Sequence, residues 1–490
     1  MKPNRKTTKT PMLSVCFVYA ILLVGVAGHT CMEQSAGAFT VTGSMITPRP
    51  GHTATLLLNG KVLITGGIPY DSLDVRALAS AELYDASTGT FAATGNMTTG
   101  RAQHTATLLP DGRVLIASKT DLSAETYDPS TETFTATRDM VAHPYPGQVT
   151  TLLQDGRVFI AGYPTAQIYD PVTGTVAATG PYAAPAPAIL QTSTLLADGR
   201  VLLTGAVNIC YQPQCRDPGT GWTELYDPGT GTFSVAGSMK SWNNVYTATL
   251  LLSGKVLFVG GDNYNGIPFS AEVFDPKDGT FTAIVSQPAS LQYSAATLLP
   301  DGTVLITGGL RPGGNAQVVS QLYLPENGRF SAVGNMITAR WGHTATLLPD
   351  GTVLIAGGSD YGGFAIATAE IFRPAVLSPA PVLFPLTATG GQGAIWHPET
   401  GQIASSGHPA VAGGALSMYT TSLGDGGVIP PQVAIGGRLA EVLYFGSAPG
   451  YPGFNQVNFR VPNRVASGSA VSVRLTYLGR PSNAVTIGVQ

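Results

Sequence analysis

One segment recurs seven times along this chain of 490 residues. Each copy opens on a pattern such as His-Thr-Ala-Thr-Leu-Leu, turns at a glycine, and runs on into an apolar stretch. The copies start at His52, His104, Gln148, Gln191, Tyr246, Tyr293 and His343. The turn glycines are Gly60, Gly112, Gly156, Gly199, Gly254, Gly302 and Gly351, spaced 43 to 55 residues apart. A period of this length is the signature of a repeat architecture, so the fold must be built from similar units.

Each copy predicts four short strands. The first two are joined by Asp-Gly, Asn-Gly or Ser-Gly, and Asn-Gly and Asp-Gly are strong hairpin signals because such turns need positive φ. The last two are joined by Asp-Pro-x-Thr-Gly or a variant of it, where proline and glycine favour a tight turn. The third strand carries an aromatic residue in every copy, namely Tyr84, Tyr127, Tyr169, Tyr226, Phe274, Tyr323 and Phe372. The fourth strand carries Phe91, Phe134, Val176, Phe233, Phe281 or Phe330. We therefore predict an all-β fold with a seven-bladed β-propeller over residues 36–375.

The composition agrees with an all-β fold. Charged residues make up 11% of the chain, hydrophobic residues 44%, and glycine and proline number 60 and 36. This mixture suits many short strands with tight turns, and it argues against long charged helices and against disorder. The net charge of −3 provides no basic footprint for nucleic acid.

The strand count predicts how the ring closes. The seventh copy supplies three strands and then reaches Arg373 and Pro374. A short β-like segment at 39–41 precedes the first full copy, and the Gly-Ser-Met that follows it parallels the Gly-Asn-Met after Phe91. We expect this N-terminal segment to be the outer strand of blade seven, which leaves no exposed edge in that blade.

Beyond the repeats, residues 376–390 are rich in proline and predict a linker. Residues 391–490 alternate short β-like runs with turns and predict an immunoglobulin-like β-sandwich.

The N-terminus predicts export. Lys2, Arg5, Lys6 and Lys9 precede an uncharged stretch over 13–27, which is typical of a secretory signal over residues 1–28. An uncleaved anchor is the alternative, although a bilayer span needs about 20 apolar residues. We expect a secreted or cell-surface protein with no membrane span in the mature chain.

The cysteine pair of the fourth copy is consistent with export. Cys210 and Cys215 are close enough in sequence to close a small loop as a disulfide. A metal or thiol site is the alternative, but the sequence shows no matching second pair and no nearby histidine.

The repeats resemble the kelch family of β-propellers. The resemblance lies in the double glycine after the second strand, as at Gly66-Gly67, Gly260-Gly261, Gly308-Gly309 and Gly357-Gly358, and in the aromatic of strand three. The chain departs from kelch repeats in using Phe where Trp is usual, and copies two to four have lost one or both glycines. The stretch 447–462 resembles an uncharacterised C-terminal domain of secreted bacterial proteins.

Candidate binding residues lie on the face with long loops. Loops between strands two and three, and connections between blades, share one face of a propeller and vary most between copies, so function is expected there. The candidate ligand-binding residues are Arg49, Tyr70, Arg101, Trp222, Trp242, Asn243, Tyr264, Arg340, Trp341 and Tyr361. Aromatic rings interspersed with Arg and Asn suit a sugar or a peptide. The alternative is that several of them cover the stems of the loops.

The Arg-x-x-His motif occurs three times. His52, His104 and His343 could form a three-histidine metal site, since blades one, two and seven are neighbours. Other copies fill the same position with Gln or Tyr, however, and a position set by the repeat favours a structural role. The prediction therefore includes no metal and no other cofactor.

Two classes of function remain. The first is a non-catalytic binding protein for an extracellular glycan or protein. The second is an enzyme acting on sugars, because seven kelch blades followed by an immunoglobulin-like domain resemble galactose oxidase and its copper-radical relatives. That resemblance implies a Tyr-His pair, a Tyr crosslinked to Cys, and a C-terminal His. This chain has Trp341-Gly342-His343 at the pair, and His397 or His408 as its C-terminal candidates, so no catalytic residue is predicted.

Overall fold

Regular structure in this protein consists of β-strands. The computed structural model describes residues 37–69, 76–118, 123–137, 147–162, 164–184, 189–206, 221–239, 245–260, 271–284, 292–311, 314–388, 390–424 and 427–490. Every regular element in these ranges is a strand. No helix among them is long and apolar enough to cross a membrane.

Seven four-stranded antiparallel sheets form the blades of a propeller within the described residues. The chain enters through β1 (Ala38–Val41). Blade one is β2 (Thr53–Leu56), β3 (Val62–Thr65), β4 (Ala81–Asp85) and β5 (Thr90–Ala93). Blade two is β6 (Thr105–Leu108), β7 (Val114–Ala117), β8 (Ala124–Asp128) and β9 (Thr133–Ala136). Blade three is β10 (Val149–Leu152), β11 (Val158–Ala161), β12 (Ala166–Asp170) and β13 (Thr175–Ala178). Blade four is β14 (Ile189–Leu195), β15 (Val201–Ala206), β16 (Gly221–Asp227) and β17 (Thr232–Val235).

The last three blades continue the same order. Blade five is β18 (Val245–Leu250), β19 (Val256–Gly260), β20 (Ala271–Asp275) and β21 (Thr280–Ile284). Blade six is β22 (Ala295–Leu298), β23 (Val304–Thr307), β26 (Ser320–Leu324) and β27 (Arg329–Ala332), with a small hairpin of β24 (Leu310–Arg311) and β25 (Asn315–Ala316) inserted. Blade seven has β28 (Thr344–Leu347), β29 (Val353–Ala356) and β30 (Ala369–Arg373). The predicted seven-bladed, all-β propeller is confirmed.

The aromatic positions of strands three and four meet across each blade. Tyr84 lies opposite Phe91 with ring centroids 4.8 Å apart, and Tyr127 lies opposite Phe134 at the same distance. The equivalent pairs of blades four, five and six are 4.8 to 5.3 Å apart. Cross-strand aromatic pairs stabilise a sheet, and the buried clusters that include these rings extend between neighbouring blades, as where Tyr127 of blade two shares a cluster with Leu63 of blade one.

Blade seven is closed by the N-terminal strand, as predicted. β1 pairs antiparallel with β30, with Phe39 opposite Phe372. Their rings are 4.9 Å apart, which reproduces the aromatic pair of the other blades. The blade thus takes one strand from the start of the ring and three from its end, so the strand pairing holds the ring shut.

The C-terminal residues form one curled sheet. Its strands are β31 (Ile395–Trp396), β32 (Ala415–Thr420), β33 (Gln432–Ile435), β34 (Arg438–Ser447), β35 (Asn455–Arg460), β36 (Gly468–Tyr477), β37 (Arg480–Pro481) and β38 (Val485–Val489). The order is β31-β32-β35-β34-β33-β36-β37, and β38 also pairs with β36. Gln392, just before β31, bridges Thr486 on β38, so the two ends of the sheet approach each other. A core of buried aliphatic residues with Phe459 fills the curl, in a form consistent with the expected sandwich.

The C-terminal domain packs on the turns between the first two strands of the propeller blades. The Arg474 guanidinium donates to the Leu58 carbonyl at 3.2 Å, and the Val428 amide donates to the Leu252 carbonyl at 2.9 Å. Leu58 and Leu252 each lie two residues before a turn glycine. Arg480 is fully buried and donates to the Ser378 carbonyl, just beyond blade seven. The turn face of the propeller is therefore partly covered by the C-terminal sheet.

Replacing Phe39 with alanine tests the closure of the ring. Phe39→Ala removes half of the aromatic pair, so we expect a loss of about 2–3 kcal/mol in the free energy of unfolding. Val41→Ala on the same strand is the control, because the Val41 side chain is 67% exposed. Urea unfolding followed by tryptophan fluorescence measures both. Equal stability of the two variants would contradict the role assigned to Phe39.

Candidate functional site

The long-loop face of the propeller is the face opposite the C-terminal sheet. Strands alternate in direction within each blade, so the Asp-Gly and Asp-Pro turns share one face. The loops between strands two and three, and the connections between blades, share the other. The structure describes this second face most completely at blades six and seven, where the hairpin of β24 and β25 and the loop after β29 lie.

Tyr293 lies on this face because of a backbone position that recurs in the repeat. The residue before the repeat histidine has a left-handed backbone in three blades: Gly51 with φ 74°, Gln103 with φ 53° and Gly342 with φ 61°. In blade six Tyr293 adopts φ 55°, and β22 begins two residues later, just as β2 begins two residues after Gly51. The prediction that the sixth copy starts at Tyr293 is therefore wrong by one residue, and Ser294 occupies the histidine position.

Four aromatic residues lie on the connections and the loop of this part of the face, and we call them the aromatic patch: Tyr293, Trp341, Tyr361 and Phe364. The Tyr293 and Trp341 rings are 5.4 Å apart with planes inclined by 48°. Tyr293 is 44% exposed, Tyr361 is 70% exposed and Phe364 is 67% exposed. Large apolar side chains are seldom left so open together without a function, so this patch is the candidate binding surface.

Backbone pairing holds the patch in place. Trp341 and Ser359 exchange both backbone hydrogen bonds, at 3.0 and 2.9 Å. The Trp341 indole donates to the Asp360 carbonyl at 3.0 Å, which fixes the plane of the ring. The Asp360 carboxylate accepts from the amides of Gly362 and Phe364, at 2.8 and 2.9 Å. A ligand would meet side chains that are already positioned, which lowers the entropy cost of binding.

The three arginines predicted to bind a ligand are buried and have structural roles instead. Arg49, Arg101 and Arg340 are 1%, 3% and 0% exposed. They pair with Glu82, Glu125 and Glu370 at 2.6, 3.0 and 2.8 Å. Burial lowers the pKa of Arg49 and Arg340, and attraction to the paired glutamate opposes that effect.

The same glutamates also bind the backbone. Glu82 accepts the amides of Ile46 and Thr47, and Glu370 accepts those of Ile337 and Thr338, at 2.7 to 3.1 Å. Each arginine–glutamate pair thus ties the connection entering a blade to the third strand of that blade. The guanidinium groups lie inside the protein, where they are paired with these glutamates.

The three histidines of the motif connect neighbouring blades. His52 Nε2 lies 3.0 Å from Thr344 Oγ1 of blade seven, and His343 Nε2 lies 2.8 Å from Thr307 Oγ1 of blade six. His104 Nε2 lies 2.8 Å from Thr65 Oγ1 of blade one. Burial lowers the pKa of His52 to about 4 and that of His343 to about 3. The His52 and His343 rings are therefore neutral at physiological pH, and all three rings bridge adjacent blades.

The remaining predicted residues fall into two groups. Trp222 is 5% exposed on β16 and packs edge-on against Tyr182 at 5.4 Å, so it belongs to the hydrophobic interior between blades three and four. The predictions that lie outside the described residues are Tyr70, Trp242, Asn243, Tyr264, Cys210 and Cys215. Of the ten predicted ligand-binding residues, Trp341 and Tyr361 are thus the two that the structure brings together on the long-loop face.

Tyr293 and Phe364 were not among the predicted binding residues. Counting back eight residues from the turn glycine Gly302 gives Ser294, whereas the same count from Gly351 gives His343. The count would therefore have given Tyr293 the repeat position of Gly342, which follows Trp341 in the last copy. For Phe364 the available signal was its place on the long loop between strands two and three of the last copy.

Comparison with known proteins identifies the fold. No protein-family model matches the chain, and no curated protein matches it. Among solved structures, a fungal alcohol oxidase of the AA5 family in complex with copper aligns with 93% of this chain and 100% of its own, at a TM-score of 0.57 and 17% identity. The chain has the galactose-oxidase-like propeller fold. At this identity the likeness concerns the fold alone.

The copper of that structural relative prompts a test of the residues present here. The Nε2 atoms of His52, His104 and His343 are all used in hydrogen bonds to threonine hydroxyls, and the rings are buried. His397 Nε2 lies 3.1 Å from the His408 carbonyl in the C-terminal sheet. No group of three or more His, Cys, Asp or Glu suited to a metal occurs in the part of the chain that the structure describes. The described residues of this galactose-oxidase-like propeller do not fit a copper centre.

The buried histidines predict an acid-sensitive fold. Their pKa values lie below the usual 6.5, so the unfolded chain binds more protons, and stability falls as pH drops from about 6.5 towards about 4. The variant that tests this is His52→Gln/His343→Gln. Glutamine is chosen because Gln148 occupies the histidine position in the third copy.

The double variant should show a shallower fall in the free energy of unfolding over this interval. Urea unfolding at pH 7, 6, 5 and 4 measures the slope. An identical slope in the parent protein and the double variant would show that the histidines do not titrate as described.

Proposed function

We propose that this protein is an exported, non-catalytic binding protein whose long-loop face binds carbohydrate. The observation that carries the proposal is the aromatic patch on the face opposite the C-terminal sheet, where backbone pairing holds Trp341 and the Tyr361 and Phe364 rings are exposed. The N-terminal residues support export, because a basic segment is followed there by an apolar stretch and small residues.

The chemistry of the patch suits a sugar. A pyranose ring has an apolar face of C–H groups that packs on an aromatic ring, and hydroxyl groups that need hydrogen-bond partners. The exposed Tyr361 and Phe364 provide rings, and Tyr293 adds a phenol hydroxyl. Polar side chains stand nearby on the hairpin of β24 and β25, because Leu310 bridges Gln292 next to Tyr293. That hairpin carries the exposed Arg311 and Asn315, which supply hydrogen-bond donors.

A protein ligand is the other occupant that such a patch accommodates. Aromatic residues are enriched at the centres of protein interfaces, so Trp341 and Tyr361 alone do not separate the two ligands. We favour carbohydrate because the patch is small and its residues are divided among separate loops. An enzyme acting on sugars is less well supported, since the histidines of the motif are engaged between blades.

Binding to a glycan array and to insoluble polysaccharides tests the proposal. Tyr361→Ala removes an exposed ring and should weaken binding roughly tenfold without loss of stability. Trp341→Ala should weaken it at least as much, with some loss of stability because the ring is partly buried. The control is Val235→Ala, which changes an equally open apolar residue, 62% exposed, on the outer strand of blade four.

Binding that is saturable, lost in Tyr361→Ala and kept in Val235→Ala would support the proposal. Absence of binding to every glycan would refute it, as would full binding by a folded Tyr361→Ala/Trp341→Ala double variant.

A further inference from the structure

The curled C-terminal sheet has an outer face that is unusual for a solvated sheet. Met418, Val457 and Phe459 point into the core and are at most 1% exposed. Their neighbours on β31, β32, β35 and β34 point outwards, and outward positions of a sheet with one solvated face are normally polar. Here they include Trp396, Tyr419 and Tyr444.

Strand register places these residues in two rows. In the first row, Trp396 pairs with Ser417, Ser417 with Asn458, and Asn458 with Tyr444, so four strands contribute one residue each. Neighbouring strands lie about 4.8 Å apart, which separates the Trp396 and Tyr444 backbones by roughly 14 Å.

The second row fills the space beside the first. Tyr419 pairs with Gln456, which pairs with Gly446. The aromatic side chains therefore stand at both sides of the face, and short polar side chains lie between them.

The aromatic side chains form two walls. Tyr419 packs against Trp396 at 4.8 Å and against Tyr451 at 5.2 Å, and Tyr451 is 55% exposed. On the other side the Tyr444 ring lies over Gly446, where an added Cβ would come within 3.0 Å of the tyrosine oxygen. A side chain other than glycine would therefore push this ring away from the sheet. We call the space between the walls the C-terminal trough.

The floor of the C-terminal trough is polar and uncharged. The Gln456 amide nitrogen donates to the Asn458 side-chain oxygen at 2.9 Å. Ser417 is 1% exposed, and its hydroxyl has no hydrogen-bond partner among the described residues. Beyond the floor, Arg460 pairs with Glu441 at 2.9 Å, so the charges nearest to it neutralise each other.

One end of the trough leads towards a cavity. Ala415 lies two residues before Ser417 on the same side of β32 and lines a cavity of about 320 Å³. His397, Glu399, Gln402 and His408 contribute to the same cavity, so its one acidic side chain lies beyond the end of the trough. This volume falls at the lower end of the range of about 300–1,000 Å³ that ligand sites occupy.

We propose that the C-terminal trough is a second carbohydrate site, which takes a segment of a neutral polysaccharide. Aromatic walls match the C–H faces of sugar rings, and the amides and the buried serine hydroxyl match their hydroxyl groups. The floor carries no charge that would favour an acidic or basic partner. β32 and β35 are paired on both sides, so an extended peptide finds no free strand edge here.

This site shares no residue with the aromatic patch of the propeller, so each proposal can fail without the other. Affinity electrophoresis of the full chain through gels containing mixed-linkage β-glucan, xylan or galactomannan is the test, with alginate as an anionic comparison. The starting protein carries Tyr361→Ala and Trp341→Ala, so that retardation reports on the C-terminal trough alone.

Tyr451→Ala and Tyr444→Ala change exposed rings and should each weaken retardation by a neutral polysaccharide roughly tenfold. Trp396→Ala should abolish it, with thermal unfolding to verify that the sheet is intact. Val411→Ala, an exposed residue of the same sheet domain, should leave retardation unchanged.

Three outcomes would overturn the proposal: no retardation by any neutral polysaccharide, retardation of the Tyr451 and Tyr444 variants as strong as that of the starting protein, or retardation by alginate alone. Sedimentation of the protein without polysaccharide tests one further occupant. A dimer that Tyr444→Ala dissociates would show that a second copy covers this face, and would also overturn it.

Discussion

At three blade junctions, the contact between the repeat histidine and the first glycine of the preceding blade determines how closely the two blades approach. Gly66, Gly308 and Gly357 all have a positive φ, and an added Cβ would lie 2.7 to 2.9 Å from the histidine Cε1. At Gly66 the same Cβ would also come within 2.2 Å of the Arg101 carbonyl. Only glycine allows this approach, so the double glycine sets how closely the blades pack. The connection that carries Trp341 ends at one of these contacts, where Gly308 approaches His343.

The repeat made the propeller predictable from the sequence. Seven copies of a hairpin with a turn glycine at one position specify seven blades, and the paired aromatic positions specify the register of strands three and four. The last copy lacks a fourth strand, and the β-like segment at 39–41 precedes the first copy. Together these two features specified how the ring closes.

The candidate site was harder to predict, because residue type does not reveal burial. Arg49, Arg101 and Arg340 occupy connections on a variable face, yet each finds a glutamate 24 to 33 residues further along the chain. A glutamate that recurs in strand three of the same copies was the available signal. No sequence repeat predicts the C-terminal trough. Its two walls come from strands that are neighbours in the sheet but are not consecutive in the sequence.

The pairing of β1 with β30 has a consequence for how the molecule forms. Phe39 and Phe372 are separated by roughly 330 residues, so the last blade is completed by a contact of very high sequence separation. The entropy cost of closing so long a loop rises only with the logarithm of its length, but the search for the contact is slow. Until β1 arrives, β30 presents an open strand edge to other copies of the chain. Assembly at high concentration therefore favours exchange of β1 between molecules, which would join two rings into a swapped dimer.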